Sequence, residues 1–386
     1  MFAGAESRSE KRAQIVLQRV GGCEVSVKTI ERVLHDVGAE LKSLRDCAPS
    51  RLPKSLVPPP PAGPPQLAVV MYDGGRMMTR QPGHGPGVHA QAWRETKNAS
   101  LESMTHQLHE EDPRPELPAC FADPQHVAEI AGTAPLPVPT PPSPQPEGRE
   151  PQESPRRLVR TCLSSLSNSK DFGRQMLREA QHRRLDQAEF KAFLGDGLPA
   201  NWKIWKTHFR SFEPILDFMH AVEYLYAAAL VIHEHDAQAA WNGYLEWARL
   251  CWSGQVREVI PQLRAWLQSR GLDPDQTLEE KHPHKAVHDA HRYLSNNASR
   301  MNYAHYRQQG LPVTSAPMES LVKQINLRVK GTEMFWNDGL QGGEAILQIR
   351  SAALSDDGRL ETYLTRRPGC PFVRRTSKTP STTLNS

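Results

Sequence analysis

Apolar residues near the N-terminus recur at the three- and four-residue spacing of amphipathic helices. The pattern runs from Glu10 to Leu41 and is interrupted once, at Gly21-Gly22. Ser26 stands where the second helix needs an N-cap residue. Residues 1–47 are therefore predicted to form two helices joined by a turn, the outline of a small helix-turn-helix.

In a DNA-binding helix-turn-helix the second helix enters the major groove. Lys28 and Arg32 would project from that helix toward DNA. Because this pattern is a loose one, a helical hairpin that makes no DNA contact is an equal alternative.

Two apolar runs end on an Asp-Gly pair and predict strands of a sheet. The first, residues 67–72 (LAVVMY), ends on Asp73-Gly74-Gly75, which predicts a tight hairpin with a second strand directly after it. The other run, residues 190–194 (FKAFL), stops just before Asp196-Gly197. Further strands are expected at 88–97 and 214–220. The predicted fold class is α/β with a mixed sheet.

Helical spacing returns at 170–187 and dominates residues 221–306. One more helix is expected over Met318–Lys330. Prolines accumulate in other stretches, which predicts a linker and disorder there. The chain divides into a helix-turn-helix region (1–47), a proline-rich linker (48–66), the first part of an α/β domain (67–111), a disordered insertion (112–156), the second part of the domain (157–220), an all-helical insertion (221–306), its last part (307–365) and a disordered tail (366–386).

Composition narrows the class of protein only slightly. The formal net charge of +4 is a weak indication of an anionic partner. The six cysteines are scattered without a CxxC pair, so a disulfide framework or a thiolate zinc site is not indicated. No leader opens the chain and the longest apolar stretch is too short for a bilayer. We therefore expect a cytoplasmic protein without a membrane partner.

The two aspartates at strand ends would lie at one edge of the sheet. Taken singly, an Asp-Gly pair is more often a turn. Together with a third acid, Asp73 and Asp196 could hold Mg²⁺, which prefers carboxylate oxygens. Glu319 is a suitable third acid because it leads a polar helix face that continues through Lys323, Asn326 and Lys330. An ordinary amphipathic surface helix is the competing interpretation.

Other polar residues also have two interpretations. Trp202, flanked by lysines, could stack on unpaired bases or pack in the core. His220 follows Asp217 by three residues and could orient an acid or merely cap a helix. Histidines 284, 288 and 291 share a helix face with the spacing of a zinc site, but a polar surface helix is the more common cause of such a pattern.

Four segments of the chain resemble the bacterial insertion-sequence transposases of the Kra type. They are VVMYDGGRMMTR, FLGDGLPANWKIWKTHF, ILDFMHAVEYL and GLPVTSAPMESLVKQINLRVKGTEMFWN, of which the last is the most specific. The likeness covers most of residues 67–111 and 185–362. Those enzymes belong to the RNase H-like DDE group, alongside the Mutator-like transposases.

The resemblance implies an RNase H-like mixed sheet with a helical insertion. It assigns the catalytic, metal-binding acids to Asp73, Asp196 and Glu319, and a D-x-x-H motif to Asp217 and His220. Two Mg²⁺ or Mn²⁺ ions would then support cleavage of transposon ends and strand transfer into target DNA. The partners implied are double-stranded DNA, at the transposon ends and the target, and further copies of the chain in a homo-oligomer on DNA.

DNA phosphates would be bound by basic side chains, and the affinity should fall steeply with salt. The residues expected to contact DNA are Lys28, Arg32, Trp202, Lys323, Asn326, Arg328 and Lys330. Two rival functions remain: an RNase H-like nuclease that cuts without joining, and a catalytically decayed copy that binds DNA as a regulator.

Overall fold

A five-stranded mixed sheet organises the computed structural model, which describes residues 1–47, 51, 53–80, 92–139, 155–330, 336 and 342–367. Its strands are β1 (Leu67–Thr79), β2 (Ala92–Met104), β3 (Arg157–Ser165), β4 (Phe190–Gly195) and β5 (Glu213–Leu216), in the order β3-β2-β1-β4-β5. The pairs β1–β2 and β2–β3 are antiparallel, whereas β1–β4 and β4–β5 are parallel. The prediction of an α/β fold with a mixed sheet is confirmed.

Helices cover both faces of this sheet. In chain order they are α1 (Phe2–Glu6), α2 (Glu10–Gly21), α3 (Val27–Asp46), α4 (Pro124–Ala131), α5 (Ser169–His182), α6 (Pro199–His208), α7 (Phe218–Ile232), α8 (Ala237–Trp252), α9 (Val256–Ser269), α10 (Lys285–Asn297), α11 (Tyr303–Gln308), α12 (Ala316–Val329), α13 (Gly343–Leu354) and α14 (Arg359–Arg366). Among the described residues, no helix has the length and apolar character needed to cross a bilayer.

The first strand does not turn at Asp73-Gly74-Gly75. Strand β1 continues through these residues and pairs with β2 in regular antiparallel register, with Asp73 opposite Asn98 and Gly75 opposite Thr96. The predicted hairpin is wrong, because pairing with β2, the next strand along the chain, offers the backbone a continuous set of hydrogen bonds that outweighs the local turn preference. Asp73 therefore lies inside a strand. The predicted third strand is β2, although residues 88–91 lie outside the described residues.

The proline-rich stretch differs from its prediction in the described part. Residues 112–139, expected to be disordered, contain helix α4 and pack on the helical insertion. Tyr244 Oη donates a hydrogen bond to the Phe121 carbonyl at 2.9 Å, and Trp252 Nε1 donates one to the Arg114 carbonyl at 2.8 Å. Aromatic side chains thus fix a segment whose composition alone indicates disorder. Residues 140–154, and the predicted tail from residue 368, lie outside the described residues.

The N-terminal helices pack directly on the rest of the fold. Ser26 caps α3 through the Thr29 amide, as predicted, and Gly22 ends α2 with a φ of 61°. Helix α3 then lies against α13 so closely that a Cβ on Gly38 would stand 2.5 Å from the carbonyl oxygen of Ala345. Lys28 and Arg32 of the same helix are exposed.

This close approach reverses the usual effect of adding a methyl group to a helical glycine. Gly→Ala normally stabilises a helix by up to about 1 kcal/mol, but Gly38→Ala should destabilise the protein by about 2 kcal/mol because α3 must move off α13. Urea denaturation measures the difference. Gly21→Ala is the matched control, since its Cβ would meet only the Cys23 sulfur at 3.7 Å. Equal stability of the two variants would contradict this packing.

The sheet has two apolar faces. Ala68, Val70 and Tyr72 of β1 pack with α5 and α6 on one face. The alternate residues Leu67, Val69 and Met71 face the other way, toward α7, α12 and α13. Side chains at odd-numbered positions of β1 therefore point toward α12.

Candidate active site

Asp73 and Asp196 occupy equivalent places on two neighbouring parallel strands. The last register pair of β1 and β4 is Met71 with Leu194, and each aspartate stands two residues further along its chain. Met71 and Leu194 belong to the core on the α12 side of the sheet. Because side chains alternate along a strand, Asp73 lies on that side. Asp196 directly follows the end of β4 and is close enough for its charge to act on Asp73.

Helix α12 carries Glu319 to this edge. A Cβ on Gly75, two residues after Asp73, would stand 3.7 Å from Val322 Cγ1, and Glu319 precedes Val322 by three residues on the helix. The predicted apolar stripe of α12 is confirmed, because Met318, Val322, Ile325 and Val329 are all buried. Glu319 itself stays partly exposed and lies 3.6 Å from Lys323 Nζ.

The three acids influence each other electrostatically. Burial, and then the negative charges of Asp196 and Glu319, raise the pKa of Asp73 to about 6, against an opposing effect of His220. Burial is also the main cause that raises the pKa of Asp196, to which the charges of Asp217 and Glu223 add. Carboxylates that repel one another in a half-buried site gain stability from a bound cation.

The Asp196 carboxylate is held by its own loop. Leu198 N and Asn201 Nδ2 both donate to Asp196 Oδ1, at 2.8 and 2.5 Å. The next residue, Gly197, has a φ of 90°, which favours glycine. Sequence reasoning missed Asn201, although its place two residues into a helix that follows an Asp-Gly pair was a usable signal.

Asp217 is a structural link between two helices of the site. It is fully buried and caps α7 through the Met219 amide at 3.2 Å. It also accepts hydrogen bonds from the backbone amide and the hydroxyl of Ser315, one residue before α12. Asp217 thus fixes the start of the helix that carries Glu319. The sequence did not point to Ser315, which is 98 residues away along the chain.

His220 brings a positive charge to the acids. Burial opposes its charged form, but the hydrogen bond to Glu223 and the charges of Asp217, Glu223 and Asp196 raise the pKa of His220 to about 10. Its Nδ1 lies 3.2 Å from Glu223 Oε1, and its Nε2 lies 3.8 Å from Asp217 Oδ2. Glu223 is a further acid of the site that sequence reasoning did not identify.

The carboxylates do not form a closed ligand set. In the parts of the chain that the structure describes, no group of three or more His, Cys, Asp or Glu side chains is arranged to hold a metal ion. This holds for the histidines of α10 as well. His288 and His291 are buried rather than on a polar surface, contrary to the expectation for that helix.

The residues expected to contact DNA fall into two groups. Lys28, Arg32, Lys323 and Lys330 are exposed and Asn326 is half-buried, while Trp202 is half-buried with its indole N–H bonded to Asn297 Oδ1 at 2.9 Å. Arg328, in contrast, is 1% exposed and bonds Glu10 and the Gly4 carbonyl. The expectation that Arg328 binds phosphate is wrong, because its guanidinium holds the N-terminal helices.

A cavity of about 680 Å³ opens beside Glu319. Met71, Met219 and Trp252 contribute its apolar wall, and Lys323 stands at its edge with Glu319. The volume falls in the range of roughly 300–1,000 Å³ that ligand pockets occupy. The cavity is therefore large enough to hold a ligand next to Glu319.

The raised pKa of Asp73 makes a prediction for stability. The folded pKa of about 6 exceeds the ordinary aspartate pKa of 3.8, so the metal-free fold loses stability as pH rises through that interval. Asp73→Asn should therefore stabilise the metal-free protein at pH 7 by roughly 1–3 kcal/mol. Urea denaturation with a chelator measures this, with the exposed Asp186→Asn as control. A stability gain that persists unchanged at pH 3.5 would contradict the assignment.

The site thus brings Asp73, Asp196 and Glu319 to one edge of the sheet, with His220 and Glu223 beside them. No protein-family model matches this chain, and no curated protein is significantly similar to it.

Proposed function

We propose that this chain is a DDE transposase of an insertion sequence, with an RNase H-like domain that cuts transposon ends and joins them to target DNA. One observation carries the proposal. Asp73 and Asp196 stand at the same level of adjacent parallel strands, and the charges of Asp196 and Glu319 both raise the pKa of Asp73. The strand order and the helical segment between Asp196 and Glu319 support the same assignment.

The chemistry of the donors fits two Mg²⁺ or Mn²⁺ ions. Carboxylate oxygens are the ligands these ions prefer, and the mutual repulsion of the acids is relieved by a cation. Both hydrogen bonds to the Asp196 side chain fall on Oδ1, which leaves Oδ2 for a metal. Bound ions would supply stabilisation of negative charge on the attacking and leaving oxygens of the phosphodiester.

The protein's own residues would position the substrate around these acids. Lys323, 79% exposed and beside Glu319, would neutralise a DNA phosphate. His220 would balance the acids' charge, and the cavity beside Glu319 would admit part of the strand that is cut. Lys28 and Arg32 are exposed on α3, which supports a helix-turn-helix role in binding the transposon end. Bringing two ends together implies a homo-oligomer on DNA.

A cleavage and strand-transfer assay tests the proposal. Supercoiled DNA carrying the element's flanking ends is incubated with the protein in Mg²⁺ or in a chelator, and nicked, linear and joined products are counted. Metal-dependent cutting followed by joining is the expected result. Cutting without joined product would identify a nuclease, and DNA binding without cutting in either condition would identify a DNA-binding regulator.

A further inference from the structure

Helix α10 of the helical insertion contacts the loop that carries Asp196. Tyr293 Oη donates a hydrogen bond to the Asp196 carbonyl oxygen at 2.7 Å, across 97 residues of chain. Its ring fills the space beside Gly197, where a Cβ would meet Tyr293 atoms at 2.6–2.8 Å. Gly197 therefore has two reasons to be glycine, its positive φ and this close contact.

A second contact runs from the same helix to the residue beside Asn201. Asn297, one turn after Tyr293, accepts a hydrogen bond from Trp202 Nε1 at 2.9 Å and donates one to the Tyr293 carbonyl at 3.0 Å. The guanidinium of Arg300 lies 4.4 Å from the centre of the Trp202 ring. Trp202 follows Asn201, which donates to Asp196 Oδ1, so this second contact lies one residue away from a direct partner of the aspartate side chain.

The Tyr293 ring is itself fixed in place. It is 9% exposed and stacks on Tyr224 of α7, with 3.8 Å between ring centres and an angle of 14°. Its hydroxyl therefore has little freedom to leave the Asp196 carbonyl. Asn297 is buried as well, at 2% exposed. A buried and fully bonded pair of this kind holds its partner in one orientation.

We propose that Tyr293 and Asn297 are positioning residues of the active site, which hold Asp196 in the orientation that binds a divalent metal ion. The helical insertion would then support the metal site. This inference rests on the proposed function for its catalytic consequence. Residues that orient a metal ligand typically change metal affinity by 10–100-fold when they are mutated.

The inference is tested by titrating the protein with Mn²⁺ alone and measuring the free ion by electron paramagnetic resonance. This measurement needs neither DNA nor an activity assay. Tyr293→Phe keeps the ring and removes only the hydroxyl. We expect it to weaken Mn²⁺ binding about 10-fold or more. Tyr244→Phe is the matched control. It also removes a buried hydroxyl that bonds a backbone carbonyl, but Tyr244 stands on α8 and its partner is the carbonyl of Phe121. We expect the control to bind Mn²⁺ as the wild type does.

Two further measurements separate positioning from a general loss of structure. Circular dichroism and DNA binding should be unchanged in Tyr293→Phe, and excess Mn²⁺ should restore cleavage. If Tyr293→Phe does not fold, Asn297→Ala is judged by the same criteria. Equal Mn²⁺ affinity in Tyr293→Phe and Tyr244→Phe overturns the inference while leaving the proposed function intact. A wild type that binds no Mn²⁺ overturns both.

Discussion

Asp196→Asn should reduce DNA cleavage and joining by about 10³-fold or more, with DNA binding preserved. Asparagine keeps the shape of the side chain and can still accept the Leu198 amide hydrogen bond, but it removes the negative charge that a divalent ion needs. Asp196 is half-buried, and the charges of Asp217 and Glu223 act on it. Rates are measured in single-turnover conditions on supercoiled DNA.

The control for this variant is Asp186→Asn, which removes one negative charge from an exposed turn before the same strand. It should cut and join at the wild-type rate. Glu319→Gln should behave like Asp196→Asn. Cleavage that survives both substitutions would mean that the active site lies elsewhere in the protein.

Arg328→Met should destabilise the protein by about 3 kcal/mol, the cost of breaking a buried ion pair from one side. Arg328 stands on α12, with its guanidinium paired to Glu10 and bonded to the Gly4 carbonyl. The change therefore leaves Glu10 without its partner and loosens α1 and α2 from the helix that carries Glu319. Urea denaturation followed by circular dichroism gives the difference in the free energy of unfolding.

Arg174→Met is the control, since the Arg174–Asp171 pair is largely exposed and such pairs contribute about 0–1 kcal/mol. A similar small cost for Arg328→Met would contradict the packing of the N-terminal helices on α12. A large cost would show that α1, α2 and the helix that carries Glu319 belong to one folding unit.

Local sequence patterns predicted the parts of the site that local structure determines. The apolar runs before Asp73 and Asp196 are strands, and the apolar stripe of α12 is buried. Hydrophobic periodicity therefore predicted which elements carry the three acids. The mixed α/β class followed from the same runs.

Contacts between distant parts of the chain could not be predicted this way. Strand β1 continues past Asp73 because β2 pairs with it. The sequence predicted a strand at 88–97, but no local pattern showed that this strand pairs with the residues after Asp73. Arg328 is an arginine on a helix rich in polar residues, yet it is buried because Glu10 lies 318 residues away in sequence and beside it in space. Tyr293, which bonds the Asp196 carbonyl from 97 residues away, was missed for the same reason.

The most direct test of the three-carboxylate site is a crystal structure of the protein soaked in Mn²⁺, with anomalous scattering used to locate the metal. We expect anomalous peaks between the carboxylates of Asp73, Asp196 and Glu319, and no such peak in the Asp196→Asn variant. Peaks only at other positions, or a site that remains without metal at high Mn²⁺ concentration, would contradict the assignment of these three residues.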